Sequence, residues 1–258
     1  MRTKVSFWVF YMSFGIWFIQ CHSAKEIPTG PPIPTTKPIE SSIEWIKIKE
    51  SVYIHKSFGS FQGKTYPSNG LVVLTNKGVI VIDTAWTEPQ TEELIQSIQA
   101  KFQKQIGFVI LTHAHDDRMA GVSSFQKRKI PVYSTQLTAK LAKENGYGIP
   151  SPILDIQSRL SLGNVSVEVF YPGHGHSPDN IVVWLLDTHI LFGGCLVKAL
   201  EAEDLGNLRD ANVMEWESAV KRVLTRYPDA EVVVPGHGNW GKLDLLRHTI
   251  RLLVSPNH

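Results

Sequence analysis

The sequence predicts one α/β domain in which strands and amphipathic helices alternate in two similar halves. Three observations support this fold class: short apolar runs rich in valine and isoleucine, segments with apolar residues at helical spacing between them, and polar motifs directly after several runs. With 258 residues and 43% hydrophobic content, the chain can bury a substantial core. Such chains form sheets covered by helices, with functional sites at the strand ends.

The first half of the folded region begins with a hairpin and a helix. Residues 71–82, LVVLTNKGVIVI, predict two apolar strands around a tight turn. Thr87 and Gln90 form a T-x-x-Q capping box at the start of a helix. Residues 106–112, IGFVILT, form a continuous apolar run typical of a strand buried on both faces, and another helix is expected after it. The helix after Thr87 is supported by an apolar stripe: Leu94, Ile95, Ile98 and Phe102.

The second half repeats this alternation. Residues 130–134 predict a strand, 135–144 a helix and 165–171 a further strand. Residues 181–194, IVVWLLDTHILFGG, predict a hairpin, and 231–238, EVVVPGHG, a strand with its loop. Two more helices are predicted from apolar residues at helical spacing: one marked by Val213, Trp216, Val220 and Leu224, and a last one over 243–253.

The first 23 residues have the pattern of a secretory signal peptide. Two basic residues precede a charge-free apolar stretch that is shorter than the about 20 residues needed to span a bilayer as a helix. A cleaved leader, with cleavage after Ser23, is therefore favoured over a permanent membrane anchor. Cleavage before Cys21 would give a lipid-anchored protein, but Gln20 is larger than the small residue that such signals usually place there. Lipid anchoring is the less favoured alternative.

Residues 24–42 predict a flexible segment before the folded domain. Five prolines within PTGPPIPTTKP favour an extended, solvated backbone that cannot build a core. The single folded domain is expected over 43–258. The leader holds two of the 26 basic residues and none of the 24 acidic ones, so the mature chain has a net charge of zero. This balance predicts no nucleic-acid partner.

Side chains that bind metals follow several of the predicted strands. The motif LTHAHDDRMAG contains two histidines and an aspartate at alternate positions, and an extended chain points alternate residues to the same side. The one cysteine outside the leader cannot form an intrachain disulfide, and by itself it would be interpreted as a small buried residue. Imidazole, carboxylate and thiolate are zinc ligands, and six of them suit two ions with three protein ligands each and a shared water. The candidates are His113, His115, Asp117, His176, Cys195 and His237.

The motifs HAHDD, GHGHSPDN, GGCLVK and VPGHG resemble those of the metallo-β-lactamases of subclass B1, and the resemblance extends over about residues 43–253. It implies an αββα sandwich, with two β-sheets flanked by helices and a two-zinc site at one edge. The implied activity is hydrolysis of the β-lactam ring of penicillins, cephalosporins and carbapenems by a metal-bound hydroxide, which gives a bacterium antibiotic resistance. The implied setting is a monomer in the periplasm that acts on a small molecule.

The resemblance also implies a role for each site residue. His113, His115 and His176 would hold the first zinc ion, and Asp117, Cys195 and His237 the second. Asp117 would also orient the hydroxide. The remaining assignments are a catalytic Asn207 that donates to the lactam carbonyl, Lys198 for the substrate carboxylate, Phe58 and Phe61 on a mobile flap, Trp86 as the opposing wall, and Asp83 and Arg118 as supports behind the ligands. His174 departs from the residue usual at its position, and its role is left open.

Two alternatives remain open from the sequence. Thioester and lactone hydrolases of the same superfamily usually carry a histidine at the position of Arg118 and a bridging aspartate in place of Cys195, so both residues disfavour that activity. A non-catalytic zinc-binding protein on the same scaffold would be expected to have lost Asp117 or Lys198, and both are present.

Overall fold

Two β-sheets pack face to face, and helices cover their outer faces, in a computed structural model that describes residues 42–61 and 63–255. These residues belong to one compact unit, Ile39–His258. The predicted leader and nearly all of the predicted flexible segment lie outside the described residues. Within the described part, none of the helices has the length and hydropathy needed to cross a membrane.

The first sheet has seven strands in sequence order, antiparallel from the first to the fourth and parallel from the fourth to the seventh. The strands are β1 Glu44–Lys49, β2 Val52–Phe61, β3 Lys64–Thr75, β4 Gly78–Ile82, β5 Ile106–Ile110, β6 Val132–Thr135 and β7 Ser151–Leu154. Its outer helices are α1 Glu88–Phe102, α2 Asp116–Met119, α3 Val122–Lys127 and α4 Gln136–Glu144.

The second sheet has five strands in the order β12-β11-β10-β9-β8, and only its β11–β12 pair is parallel. The strands are β8 Gln157–Leu162, β9 Val165–Phe170, β10 Val182–Leu185, β11 Ile190–Gly194 and β12 Val232–Pro235. Its outer helices are α5 Val213–Arg226 and α6 Asp244–Val254. This architecture confirms the αββα sandwich expected from the sequence.

The core follows from the alternation of side chains along the strands. In β4, Ile80 and Ile82 join the cluster between the two sheets, whereas Val79 and Val81 join the cluster beneath the helices of the first sheet. Both faces of this strand are therefore buried, as its continuous apolar sequence predicts. A third cluster lies between the second sheet and helices α5 and α6.

Parallel strands bring their carboxyl ends to one edge of the sandwich. The loop after β5 carries the HAHDD motif, and β4 ends directly before Asp83. In the second sheet, Cys195 follows β11 and His237 lies two residues after the end of β12. Asp83 adopts a left-handed backbone conformation with φ 62°, which is uncommon for a residue other than glycine and marks a sharp turn away from the strand.

Several local predictions need correction. Thr87 does accept a hydrogen bond from the backbone N–H of Gln90, but the Gln90 side chain donates to the Phe58 carbonyl oxygen (2.8 Å) instead of closing a capping box. The helix expected through Phe125 is two short helices, α2 and α3. Strands β1, β7 and β8 were not predicted. The flap region forms the end of the continuous β2–β3 hairpin, paired from Val52–Val73 to Phe61–Lys64.

Candidate metal centre

Three imidazole rings converge on one point at the edge of the sandwich. The Nδ1 atom of His115 lies 3.1 Å from Nε2 of His113 and 3.1 Å from Nε2 of His176. The ring planes are nearly perpendicular to one another, at 80° to 88°. Two nitrogens in a tetrahedral zinc site are expected to lie roughly 3.3 Å apart. The separations of the His115 nitrogen from the other two nitrogens therefore match the requirement for a shared zinc ion.

Hydrogen bonds on the far side of two rings fix which nitrogen faces the centre. The Thr112 hydroxyl donates to Asp83 Oδ2 (2.8 Å), so it can only accept from Nδ1–H of His113 (3.2 Å). Nε2–H of His115 donates to Asp210 Oδ2 (3.0 Å). As a result, unprotonated nitrogens of His113 and His115 face each other. Two lone pairs in this arrangement repel unless a cation lies between them, so the donor set fits a metal.

Burial keeps His113 and His176 uncharged. Desolvation, reinforced by the neighbouring rings, lowers the pKa of His113 and of His176 well below the usual value. Neutral imidazole is the form that binds a metal. Nδ1 of His176 is buried and has no hydrogen-bond partner among the described residues.

A second group of donors adjoins the first. Sγ of Cys195 lies 3.3 Å from Nε2 of His237 and 3.6 Å from Oδ2 of Asp117. Nε2 of His237 is 3.2 Å from the same Asp117 oxygen. Thiolate, imidazole and carboxylate at these separations also suit zinc. The two groups are contiguous, because donors of His113, His176 and Cys195 also lie within 4.8 Å of one another. All six residues predicted as ligands are thus brought together.

The prediction that an extended chain aligns the HAHDD side chains is correct only for its first part. His115 has an extended backbone (φ −111°, ψ 158°) and is the N-cap of α2. Asp117 already lies inside that helix. Its carboxylate reaches the second donor group because the chain turns into a helix after His115, and not because of strand alternation.

The charges around the second donor group stabilise the ionised form of Asp117 and the protonated form of His237. Burial raises the pKa of Asp117, but the adjacent Arg118 guanidinium and His237 outweigh this and hold it well below its usual range. Burial lowers the pKa of His237, whereas the Cys195 and Asp117 side chains raise it to about 9. His237 also directs Nδ1 at the Pro67 carbonyl oxygen (2.6 Å), which leaves Nε2 facing the donors.

Arg118, which the resemblance to the family places behind the ligands, lies fully buried beneath the second donor group. Its NH2 atom is 2.8 Å from Oδ2 of Asp117, 3.1 Å from Sγ of Cys195 and 2.8 Å from the Gly236 carbonyl oxygen. Its NH1 atom donates to the Asn69 carbonyl oxygen (2.5 Å). Despite burial, the nearby carboxylates and thiol raise the pKa of Arg118 further. Arg118 is therefore a fixed cation that holds the thiol and the carboxylate in place.

Asp83 supports the ligands indirectly. It accepts hydrogen bonds from the backbone N–H (2.7 Å) and the hydroxyl of Thr112, and its Oδ2 lies 3.5 Å from NH1 of Arg118. Burial raises the pKa of Asp83 to about 7, against the opposing effect of Arg118. Asp83 thus reaches the proposed ligand His113 through the Thr112 hydroxyl. Sequence reasoning missed Thr112 and Asp210, because nothing in the pattern distinguishes them from ordinary polar residues.

Lys198 and Asn207 are the polar residues predicted to bind the substrate. Nζ of Lys198 lies 5.4 Å from the centre of the Trp216 ring and has no acidic partner within 4 Å among the described residues. Burial lowers the pKa of Lys198, while the charges of Cys195, Asp204 and Asp117 oppose this effect. The Asn207 side-chain oxygen accepts from the Arg209 backbone N–H (3.1 Å), so its amide nitrogen is the group that can donate to a ligand.

Of the three aromatic residues predicted to contact the substrate, Trp86 lies beside a proposed ligand, and it packs on the β2–β3 hairpin instead of forming a wall opposite it. The Trp86 ring lies 5.8 Å from the His237 ring and packs on Gly59 of β2, where a Cβ atom would come within 2.1 Å of the indole. Phe61 is 38% exposed and contacts Tyr66 within the hairpin, with ring centres 6.5 Å apart. Phe58 is half-buried on the same strand.

Comparisons with known proteins agree with this geometry. Residues 63–237 match the family model described as the metallo-beta-lactamase superfamily. The chain is 48% identical over 207 residues to the metallo-beta-lactamase type 2 of Bacillus cereus, covering 80% of this chain and 81% of that protein. It is 34% identical to metallo-beta-lactamase IND-1 of Chryseobacterium indologenes, covering 80% and 86%. A solved metallo-beta-lactamase from Pontibacter korlensis superposes with a TM-score of 0.80 at 43% identity, covering 82% of this chain and 98% of that one. The chain therefore belongs to the metallo-β-lactamase superfamily.

Proposed function

We propose that this protein is a zinc-dependent β-lactamase that opens the ring of penicillins, cephalosporins and carbapenems and thereby confers antibiotic resistance. The observation that carries the proposal is the convergence of six donor side chains, including a buried thiol, into two contiguous groups. The named relatives support the substrate class, since the chain covers most of the length of each.

Two zinc ions are the proposed cofactors. His113, His115 and His176 would hold one, and Asp117, Cys195 and His237 the other. Bound zinc lowers the pKa of a water ligand from 15.7 to about 7 and polarises a carbonyl group, so hydrolysis needs no side-chain nucleophile. The uncharged imidazoles of His113 and His176 and the thiol held by Arg118 are the features of this chain that suit such ions.

The remaining side chains would bind and orient the substrate. Asp117 stays ionised because of Arg118, so it can accept a hydrogen bond from the attacking water and orient it. The Lys198 ammonium group, partly desolvated and without an acidic partner among the described residues, is suited to a substrate carboxylate. The Asn207 amide nitrogen would donate to the lactam carbonyl oxygen. Phe58, Phe61 and Trp86 would form apolar walls.

Thioester or lactone hydrolysis is less well supported. A guanidinium group cannot coordinate a metal because it has no acceptor, and the Arg118 side chain takes the place of a ligand that those hydrolases usually have. Its contact with Sγ of Cys195 instead favours a site built around the thiolate.

We further propose the cellular setting. The leader at 1–23 would direct export to the periplasm, and 24–42 would link it to a single domain over 43–258. The mature protein would act as a monomer, with no membrane insertion and no nucleic-acid partner.

Turnover before and after metal removal tests this function. Purified mature protein should hydrolyse imipenem and a cephalosporin, lose this activity in a chelator and regain it when zinc is added back. A thioester and a lactone should be hydrolysed far more slowly. If the zinc-loaded protein leaves both antibiotics intact, the proposal fails: turnover of a thioester would then favour the other hydrolase, and zinc binding without any turnover a non-catalytic protein.

A further inference from the structure

Two loops beside the histidine cluster are joined by a pair of hydrogen bonds. The first loop, residues 171–181, carries the proposed ligand His176, and the second, residues 205–212, carries Asp210. The backbone N–H of Asn212 donates to the Gly175 carbonyl oxygen (2.8 Å). Nε2–H of His174 donates to the Asp210 carbonyl oxygen (2.9 Å). The second bond is the one that involves a side chain, so sequence changes at 174 can alter it.

The Asp210 side chain needs such support because it is partly open to solvent. Its carboxylate, 38% exposed, accepts from Nε2 of His115 (3.0 Å) and from Nε of the exposed Arg209 (3.2 Å). Water competes for both bonds. Whether the carboxylate stays directed at His115 therefore depends on how firmly the Asp210 backbone is held. The His174 bond ends on the peptide carbonyl of Asp210 itself.

Hydrogen bonds of the Asn180 side chain anchor the first loop on both sides of His174. The side-chain nitrogen of Asn180 donates to the Gly173 carbonyl oxygen (2.8 Å). The side-chain oxygen of Asn180 accepts from the backbone N–H groups of Gly175 (3.3 Å) and Ser177 (3.0 Å). His174 lies between two of these anchored positions. Its half-buried ring thus connects the first loop, which Asn180 anchors, to the second loop, which carries Asp210.

We propose that His174 is a positioning residue that strengthens metal binding by holding Asp210 against His115. The inference rests on the proposed role of His115 as a ligand. His174 is not itself a ligand in this arrangement, because its Nε2 atom is occupied by the Asp210 carbonyl oxygen. Groups that orient a metal-bound histidine typically change metal affinity by 10-fold to 100-fold when removed. His174 acts one step further away, so a smaller effect is expected.

Zinc affinity, measured by competition with a chromophoric chelator, tests this role without reference to activity. His174→Phe keeps a ring but loses the donor, and it should weaken binding roughly threefold to tenfold. His174→Gln keeps a side-chain N–H and should restore the affinity to within about twofold of wild type. His248→Phe is the matched control: its ring donates to the carbonyl oxygen of Ala202 in a different loop (2.8 Å), and zinc affinity should not change.

A double variant shows whether His174 affects zinc affinity through Asp210 or by a general destabilisation of the two loops. Asp210→Ala alone should weaken zinc binding, and adding His174→Phe to it should cause no further loss. Equal zinc affinity of wild type and His174→Phe would overturn the inference, as would an independent, multiplicative loss in the double variant. If wild-type protein bound no zinc at all, the proposed function would fail as well, so the two failures are distinguishable.

Discussion

Replacement of Cys195 by serine is expected to lower β-lactam hydrolysis by at least about a hundredfold and to leave one zinc ion per chain. Loss of a group behind a ligand already costs 10-fold to 100-fold in affinity, and loss of the ligand should cost more. Serine has almost the same shape as cysteine but does not supply a thiolate. Arg118 would keep its carboxylate and backbone partners, so the fold should persist.

Zinc content and turnover, measured on the same preparation of Cys195→Ser, check this result. Cys195→Asp is a useful comparison, because it restores an anionic donor and should retain more of the second zinc ion than the serine variant. Full activity with two bound ions in Cys195→Ser would contradict the assignment of Cys195 as a ligand.

Replacement of Arg118 by methionine is expected to lower the free energy of unfolding by about 3 to 5 kcal/mol, since breaking a buried ion pair leaves charges without compensation. The guanidinium contacts Asp117, Asp83 and the Cys195 thiol, and all of them are buried. Burial raises the pKa of Asp83 to about 7 even though Arg118 opposes this rise. Without Arg118 this pKa should rise further, so that Asp83 takes up a proton at neutral pH. Protonation of Asp83 would remove one uncompensated charge and so limit the decrease in the free energy of unfolding.

Chemical denaturation in the presence of a chelator measures this effect apart from metal binding. Arg128→Met is the matched control, since Arg128 pairs with Glu92 at 2.5 Å on the surface. Exposed pairs of this kind contribute less than about 1 kcal/mol. If the two variants were equally stable, Arg118 would not hold the site together as described.

The ligand set was predictable because its chemistry is unusual in sequence. Histidines directly after apolar strands, together with the one thiol outside the predicted leader, point to metal binding before any geometry is known. The buried strands were predictable for a related reason: β4 and β5 are apolar on both faces and follow the pattern of a covered parallel sheet.

Other features of the fold and site depend on tertiary contacts that the local sequence pattern does not reveal. Gln90 matches the capping-box pattern, but its side chain bonds to the β2–β3 hairpin, and such competition is decided by tertiary packing. Strand β8 has few apolar residues and half of its side chains are exposed, so its pattern is weak. The link from His174 to Asp210 joins two loops 36 residues apart, and no periodicity marks either residue. The burial of Arg118 likewise depends on distant segments, since its guanidinium contacts Asn69 in the first sheet and Cys195 and Gly236 after strands of the second.

A crystal structure of the zinc-loaded protein, with anomalous scattering at the zinc edge, tests most directly whether six side chains from four separate segments of the chain hold two zinc ions. Two peaks of anomalous density are expected, one for each zinc ion. One should lie about 2.0 to 2.1 Å from nitrogens of His113, His115 and His176, and the other about 2.0 to 2.3 Å from donors of Asp117, Cys195 and His237. A zinc-saturated crystal with a single peak, or with peaks bound by other residues, would contradict it.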